Sequence, residues 1–391
     1  MRRKGTVGLS IGIILAFGGI ATDAASGAKS KCRVVNGGAS FGTLQAAVDA
    51  AASGAALTVT GTCYGDTTVT KDLTIVGQDS HGNGAGQAIL NGANHLEVNP
   101  GTTLTVEGAV TVAVSRVTIT GGEAETGAGV VNGGTLALEH ATVSGNAAEC
   151  FFCGGPGATG GGIVNHGSLT LDHSTVTQNS AEAEGGGIWN GGRVTFNHSV
   201  VSDNEAGDGA GIMNYQAGLD PVSVTLNYSE VSGNTATGGG GGIANTTGSV
   251  TLNRSTVSDN SAGFIGGGIW NFSILRIIGK HPGPKGTVTL NHSAVTDNTV
   301  HGHGGGIGNW EGPLTLNDSA VSHNTAVEGG GISNEEEGSV TLNGSAAITR
   351  NAASDHGGGI YNEESRAATI TFGAGWTGRV RGNNPDDIFT A

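Results

Sequence analysis

The chain has 391 residues, a formal charge of −15, 74 glycines, 4% aromatic and 13% charged residues. So much glycine and so few large side chains exclude an ordinary globular core, while only seven prolines and recurring Val, Ile and Leu positions argue against disorder. The acidic balance disfavours nucleic acid as a partner and repels polyanions unless a basic patch or bound cations intervene.

In chain order, Met1-Arg2-Arg3-Lys4 is basic and precedes an apolar stretch from Leu9 to Ala21, closing on small residues near Ala24 and Ala25. This reads as a secretory signal peptide over 1–25, and hence a secreted or cell-surface address. Its removal at residue 24 loses three basic groups and Asp23, moving the formal charge from −15 to −17. No other run approaches the ~20 apolar residues of a membrane-spanning helix. Residues 32–116 read as a cap with irregular first coils. Phe41 to Ser53 places Leu44, Ala47, Val48 and Ala51 at helical spacing, with Ser40 as N-cap, and short strands follow at Leu57, Leu73, Leu104 and Val117.

From 117 to 384 the chain repeats. The motif Gly-Gly-Gly-Ile-x-Asn ends on Asn132, Asn165, Asn190, Asn214, Asn245, Asn271, Asn309, Asn334 and Asn362. A second motif, as in Val250-Thr251-Leu252-Asn253-Arg254-Ser255-Thr256-Val257-Ser258-Asp259-Asn260, ends on Asn146, Asn179, Asn204, Asn234, Asn260, Asn298, Asn324 and Asn351. Each unit holds three period-two segments separated by Gly, Asn or Asp, and the period excludes helical repeats. Three strands of about four residues plus three turns, ~24–25 residues in all, make one coil of a β-solenoid. The predicted fold is all-β, a single-stranded right-handed parallel β-helix with a short N-terminal capping helix. Ile188, Ile212 and Ile243 are expected in one internal column, and the asparagines in inward-facing ladders that tolerate left-handed backbone angles. The Asn-x-Ser triplets at Asn197, Asn227, Asn253, Asn291, Asn317 and Asn343 match glycosylation acceptors, but their fixed phase favours a structural role. Residues 385–391 read as a tail.

These repeats resemble those of the polymorphic outer membrane proteins, and Leu44 to Ala51 with Leu73 to Gly77 looks like the opening of pectin-lyase-like β-helix proteins. Both resemblances imply a right-handed parallel β-helix and an extracytoplasmic address. No strands of a C-terminal membrane barrel are evident.

The fold makes a polysaccharide hydrolase or lyase the enzyme alternative, which needs paired carboxylates or a calcium site with a base. Gly302-His303-Gly304 resembles a galacturonase element, but the only Asp-Asp, Asp386-Asp387, follows it, and Arg276-Ile277-Ile278 precedes it without the lysine. His303 therefore reads as a turn residue. Asp203, Asp259 and Asp297 share a turn position but alternate with other residues, and Glu335-Glu336-Glu337 and Glu363-Glu364 read as solvated turns. His140, His173 and His198 fall on successive coils of a variable, exposed position. No catalytic, metal or cofactor residues are assigned.

Export makes disulfides the default, with local pairing of Cys32 with Cys63 and Cys150 with Cys153 expected and the other connectivities left open. The variable position of Gly-Gly-Gly-Ile-x-Asn should point outward, and it presents Trp189, Met213, Trp270 and Tyr361 as a stripe for carbohydrate or protein. A second contact is the apolar, basic insertion from Phe272 to Gly286, with Arg276, Lys280 and Lys285. The expected function is a monomeric, exported, non-enzymatic repeat protein in surface display, adhesion or envelope association.

Overall fold

Alternating valine, threonine and leucine between glycine-rich corners folds as the repeat predicts. The computed structural model describes residues 31–79, 87–93, 101–150, 157–215, 221–273 and 285–391. Among these, four sheets of 14, 12, 9 and 12 strands run the length of the stack. One coil comprises Ser249–Asn253, Thr256–Ser258, Ser261–Ala262 and Ile269–Phe272, each parallel to its equivalent one coil away, in sheets one to four. The architecture is an all-β parallel β-helix. A coil contains four strands rather than three: the turn after the second asparagine ladder holds an extra two-residue strand, too short to register as an alternation.

The core is built from stacked columns. Ile188, Ile212 and Ile243 lie in register as expected, and Ile269, Ile307, Ile332 and Ile360 extend the column, all fully buried. A parallel column holds Leu226, Leu252, Leu290, Leu316 and Leu342. Burying each such side chain is worth about 1.5–3 kcal/mol, so repetition substitutes for aromatic bulk.

The glycine triplets have two separate causes. Gly266, the first of its triplet, has φ +63°, while a Cβ on Gly267 would sit 2.5 Å from the carbonyl oxygen of Gly305 on the next coil. The first glycine allows the corner, and the second lets the coils stack at sheet spacing.

The asparagines form ladders. From Asn132 to Asn362, each Nδ2 donates to the Oδ1 one coil onward at 2.7–2.8 Å. From Asn146 to Asn383, both the backbone N–H and Nδ2 donate to the next Oδ1 at 2.9–3.1 Å. The left-handed angles fall elsewhere than expected. They belong to the residue before each second-ladder asparagine, such as Asp203, Asp259 and Arg350, and to the residue after each Asn-x-Ser asparagine, such as His198 and Arg254. The Asn-x-Ser residues make a third, half-buried ladder running the other way, in which Asn227 donates to Asn197 and Asn253 to Asn227. The serines accept backbone N–H bonds between coils, as Ser229 does from Ser199.

At the N-terminal end, Leu44–Ala50 is a helix burying Leu44, Ala47 and Val48, as its spacing predicts. Its N-cap is Thr43, not Ser40, because Thr43 Oγ1 accepts from Ala46 N at 3.3 Å, while Ser40 belongs to a strand, Ala39–Phe41. That strand and Arg33–Asn36 fold antiparallel over the first coil. Cys32 bonds to Cys63. Cys150 is also disulfide-bonded, and its expected partner, Cys153, lies outside the described residues, as does the signal-peptide segment. The last residues carry one more strand, Ile388–Thr390, beside Ile360–Asn362. Among the described residues no helix is long and apolar enough to cross a membrane.

The two asparagine positions are predicted to differ sharply on truncation. Asn260 makes three donor bonds and accepts two from Asn234, all buried. Asn260→Ala strands several polar groups and should cost about 3 kcal/mol in urea unfolding, whereas Asn253→Ala on the half-buried ladder should cost under about 1 kcal/mol. Equal losses would show that the ladders are interchangeable.

Candidate functional site

The lateral face of sheet four is assembled from three neighbouring columns, each fixed by its phase in the repeat. The outward position of the sheet-four strand gives Val164, Trp189, Met213, Ala244, Trp270, Gly308, Ser333 and Tyr361 in coil order. The residue after the ladder asparagine gives Tyr215, Thr246, Phe272, Trp310 and Glu335. The residue just before the glycine-rich corner gives Thr159, Glu184, Asp208, Gly239, Ile265, His303 and Glu328, linked by single bridges except at Asp208 and Gly239, where the Gly239 N–H donates to Asp208 Oδ1.

The expected stripe is therefore not uniformly exposed. Met213 is buried, 2% exposed, and clusters with Ala244 and Phe272, because rings from the neighbouring column fold over the outward position. Trp189 and Trp270 remain half-buried. Trp189 contacts His166 at 5.4 Å and Tyr215 at 5.7 Å between ring centres. Trp270 stacks on Phe272 at 3.7 Å and meets Trp310 edge-on at 6.2 Å. Tyr361 stacks on Phe389 at 5.8 Å. The indole Nε1 of Trp270 is buried without a hydrogen-bond partner. Of the insertion residues, Arg276 and Lys280 lie outside the described residues. Lys285 pairs with Glu337 at 2.9 Å on the exposed surface.

Two acidic centres flank the rings. Near the N-terminal part, Glu184 and Asp208 are paired across adjacent coils. Glu184 Oε2 accepts from Trp189 Nε1 at 3.1 Å, and Asp208 Oδ1 accepts from Gly239 N at 2.6 Å. Burial pushes both carboxyls above their ordinary range, opposed at Glu184 by the Trp189 bond and reinforced there by the charge of Asp208.

The second centre corrects two expectations. Glu335, Glu336 and Glu363 are not solvated turns: their side chains are only 12%, 16% and 19% exposed. Arg366 pairs with both Glu336 and Glu363. Nor is His303 a simple turn residue, since its Nδ1 lies 3.2 Å from Glu328 and 3.1 Å from Glu335. Glu335 raises the His303 pKa against the effect of burial. Burial in turn pushes Glu335 up, but its bonds to His303 and Ser333 and the contact with Trp310 outweigh that and hold it low. Tyr361 is raised by burial and by Glu328, Glu363, Glu335 and Asp355, four carboxylates converging on one phenol.

Several other candidates resolve differently. His140, His173 and His198 stack at 5.0–5.1 Å between ring centres and continue onto Tyr228, an exposed ring ladder. Asp203 and Asp259 occupy left-handed corners two coils apart. A concavity of about 270 Å³ on the last coils is lined by Thr349, Arg350, Arg379, Arg381 and Gly382, a local basic notch on an acidic chain. The carboxylate columns escape a reading of the motif because attention to Gly-Gly-Gly-Ile-x-Asn stops one residue short of them. The signal is the residue preceding the glycines, which turns from Thr to Glu, Asp and His.

Fold and site together define the chain as an all-β parallel β-helix repeat protein with an aromatic, acid-flanked lateral face. No family model, curated protein or solved structure matches it.

The raised carboxyls give a pH prediction. A carboxyl whose folded pKa lies above its unfolded value leaves the fold unpenalised at low pH and destabilises it as pH rises through the folded value. Glu184→Gln retains an oxygen to accept from Trp189 and removes the charge. It should raise the melting temperature at pH 7, with the gain vanishing below about pH 4, where the unfolded carboxyl is itself protonated. A gain that persists unchanged at pH 4 would assign the effect to packing.

Proposed function

We propose that the sheet-four face binds neutral glycan through Trp189, Trp270 and Tyr361, and that the protein is an exported, non-enzymatic rod for surface display, adhesion or envelope association. The observation that carries this reading is the set of half-buried rings, Trp189, Trp270 and Tyr361, at one register position of the sheet-four strands. Aromatic faces pack against the apolar faces of sugars, and flanking carboxylates accept from hydroxyls, while the net negative charge disfavours uronate polymers. The repeat's resemblance to polymorphic outer membrane proteins and the basic-apolar N-terminus support an extracytoplasmic setting.

A polysaccharide hydrolase of pectin-lyase-like type is the second reading, favoured by Glu184 and Asp208. Two carboxyls on adjacent coils, both shifted upward by burial and one of them beside an aromatic platform, have the chemistry of an acid and its partner.

One experiment separates them. The purified chain is passed over neutral and acidic polysaccharides while retention and new reducing ends are measured. Retention on neutral polymer without new ends is expected, and Trp189→Ala or Trp270→Ala should each weaken it roughly tenfold, the loss of one aromatic contact of about 1.4 kcal/mol. New ends abolished by Glu184→Gln would establish the hydrolase instead. Retention unchanged in both tryptophan variants would remove this face as the binding surface.

A further inference from the structure

The coil that carries Tyr361 and the one before it place three ligating side chains on one spot. One oxygen of Glu328, one of Asp355 and a ring nitrogen of His356 lie within 4.8 Å of one another. Asp355 Oδ1 is 2.9 Å from His356 Nδ1. Consecutive residues of a strand ordinarily point to opposite faces, so Asp355 and His356 should not share a site. They do because the pairing slips: Ala326 faces Ala353, but Glu328 faces His356, so Val327 alone opposes Ser354 and Asp355. This bulge is a break in the register of the third sheet, and it brings both side chains to Glu328. Bulges are a usual device for re-aiming a side chain at a site.

The surroundings are built to hold the set. His303 Nδ1, on the preceding coil, lies 3.2 Å from Glu328 Oε2. The His356 ring packs on Phe389 at 4.3 Å, which fixes its plane. Glu335 and Glu363 stand close enough to act on His303 and Tyr361, while the Arg366 guanidinium is taken by Glu336 and Glu363. Negative charge is thus concentrated at one point, with an imidazole among the donors.

We propose that Glu328, Asp355 and His356 form a binding site for a divalent transition metal of the zinc type, with His303 as a positioning residue behind Glu328. One imidazole and two carboxylates suit zinc and leave coordination positions open to water or ligand, whereas calcium takes six or more oxygens and gains little from imidazole. The metal joins the coil that carries Glu328 to the one that carries Asp355 and His356. It also sets a cation beside Tyr361 on an otherwise acidic face. The site stands independently of the glycan reading.

The test is calorimetric titration of the untagged, metal-stripped chain with zinc chloride, with cobalt substitution as a spectroscopic check. One zinc per chain is expected, with a visible cobalt absorption band that is lost in His356→Ala. Asp355→Asn, at an exposed residue that leaves the fold intact, should weaken zinc at least tenfold, and His303→Ala about tenfold without abolishing it. His173→Ala, in the stacked histidine column, should change nothing. No stoichiometric zinc, or equal affinity in wild type and Asp355→Asn, or a loss that follows His173→Ala instead, overturns the proposal.

Discussion

Every coil of this protein must present the same backbone outline to the coil above and below it, and the buried side-chain amide is what enforces that rule. An asparagine donating to its equivalent at 2.7–2.8 Å can do so only if both coils turn the corner at the same point. A slip by one residue would leave each amide facing the wrong neighbour, at a cost that multiplies along the stack. The glycine triplets are the steric counterpart. Where Gly267 meets the Gly305 carbonyl, any side chain would lift one coil off the next. The hydrophobic columns follow from this register and do not set it, since Val, Leu and Ile are tolerant of small shifts where amides are not.

Because the corners are fixed by backbone chemistry, the outward positions are left free to vary, and the chemistry accumulates there. Trp189, Trp270 and Tyr361 occupy one such column, and Glu184, Asp208, His303 and Glu328 the next. Both columns add contacts between coils, such as Trp189 with Tyr215 and Asp208 with Gly239, but neither carries the ladder amides or the buried core. Two groups of carboxylates at either end of a run of rings are costly to a fold this acidic, and burial makes them costlier. Carboxylates set beside aromatic rings distinguish this face from the exposed His140 to Tyr228 ladder.

Much of the fold was legible because the repeat writes each residue's environment several times over. Ile188, Ile212 and Ile243 in one motif could only be a column, and the asparagines in phase could only be ladders. What escaped is what the repeat writes faintly or once. Ser261–Ala262 is a strand of two residues, shorter than any period can show. Thr43 rather than Ser40 caps the helix because the chain between them is already extended as a strand. The burial of Met213 depends on rings in a neighbouring column, and the meeting of Asp355 with His356 depends on a bulge. Both are facts about lateral packing, which a linear motif does not contain. Glu335 reads as an exposed run of charge until His303, thirty-two residues earlier, is placed against it.

The ladders also reveal how the chain tolerates length. Asn190 and Asn214 are 24 residues apart, while Asn271 and Asn309 are 38 apart, and both pairs share the same hydrogen bond at 2.8 Å. The rung is the same whether 24 or 38 residues separate its two asparagines. Such a scaffold separates the inheritance of its frame from the inheritance of its decorations. A foreign peptide grafted after Phe272 or Tyr215 would be carried on the same lateral face as the rings, at a height along the rod chosen by the coil that receives it.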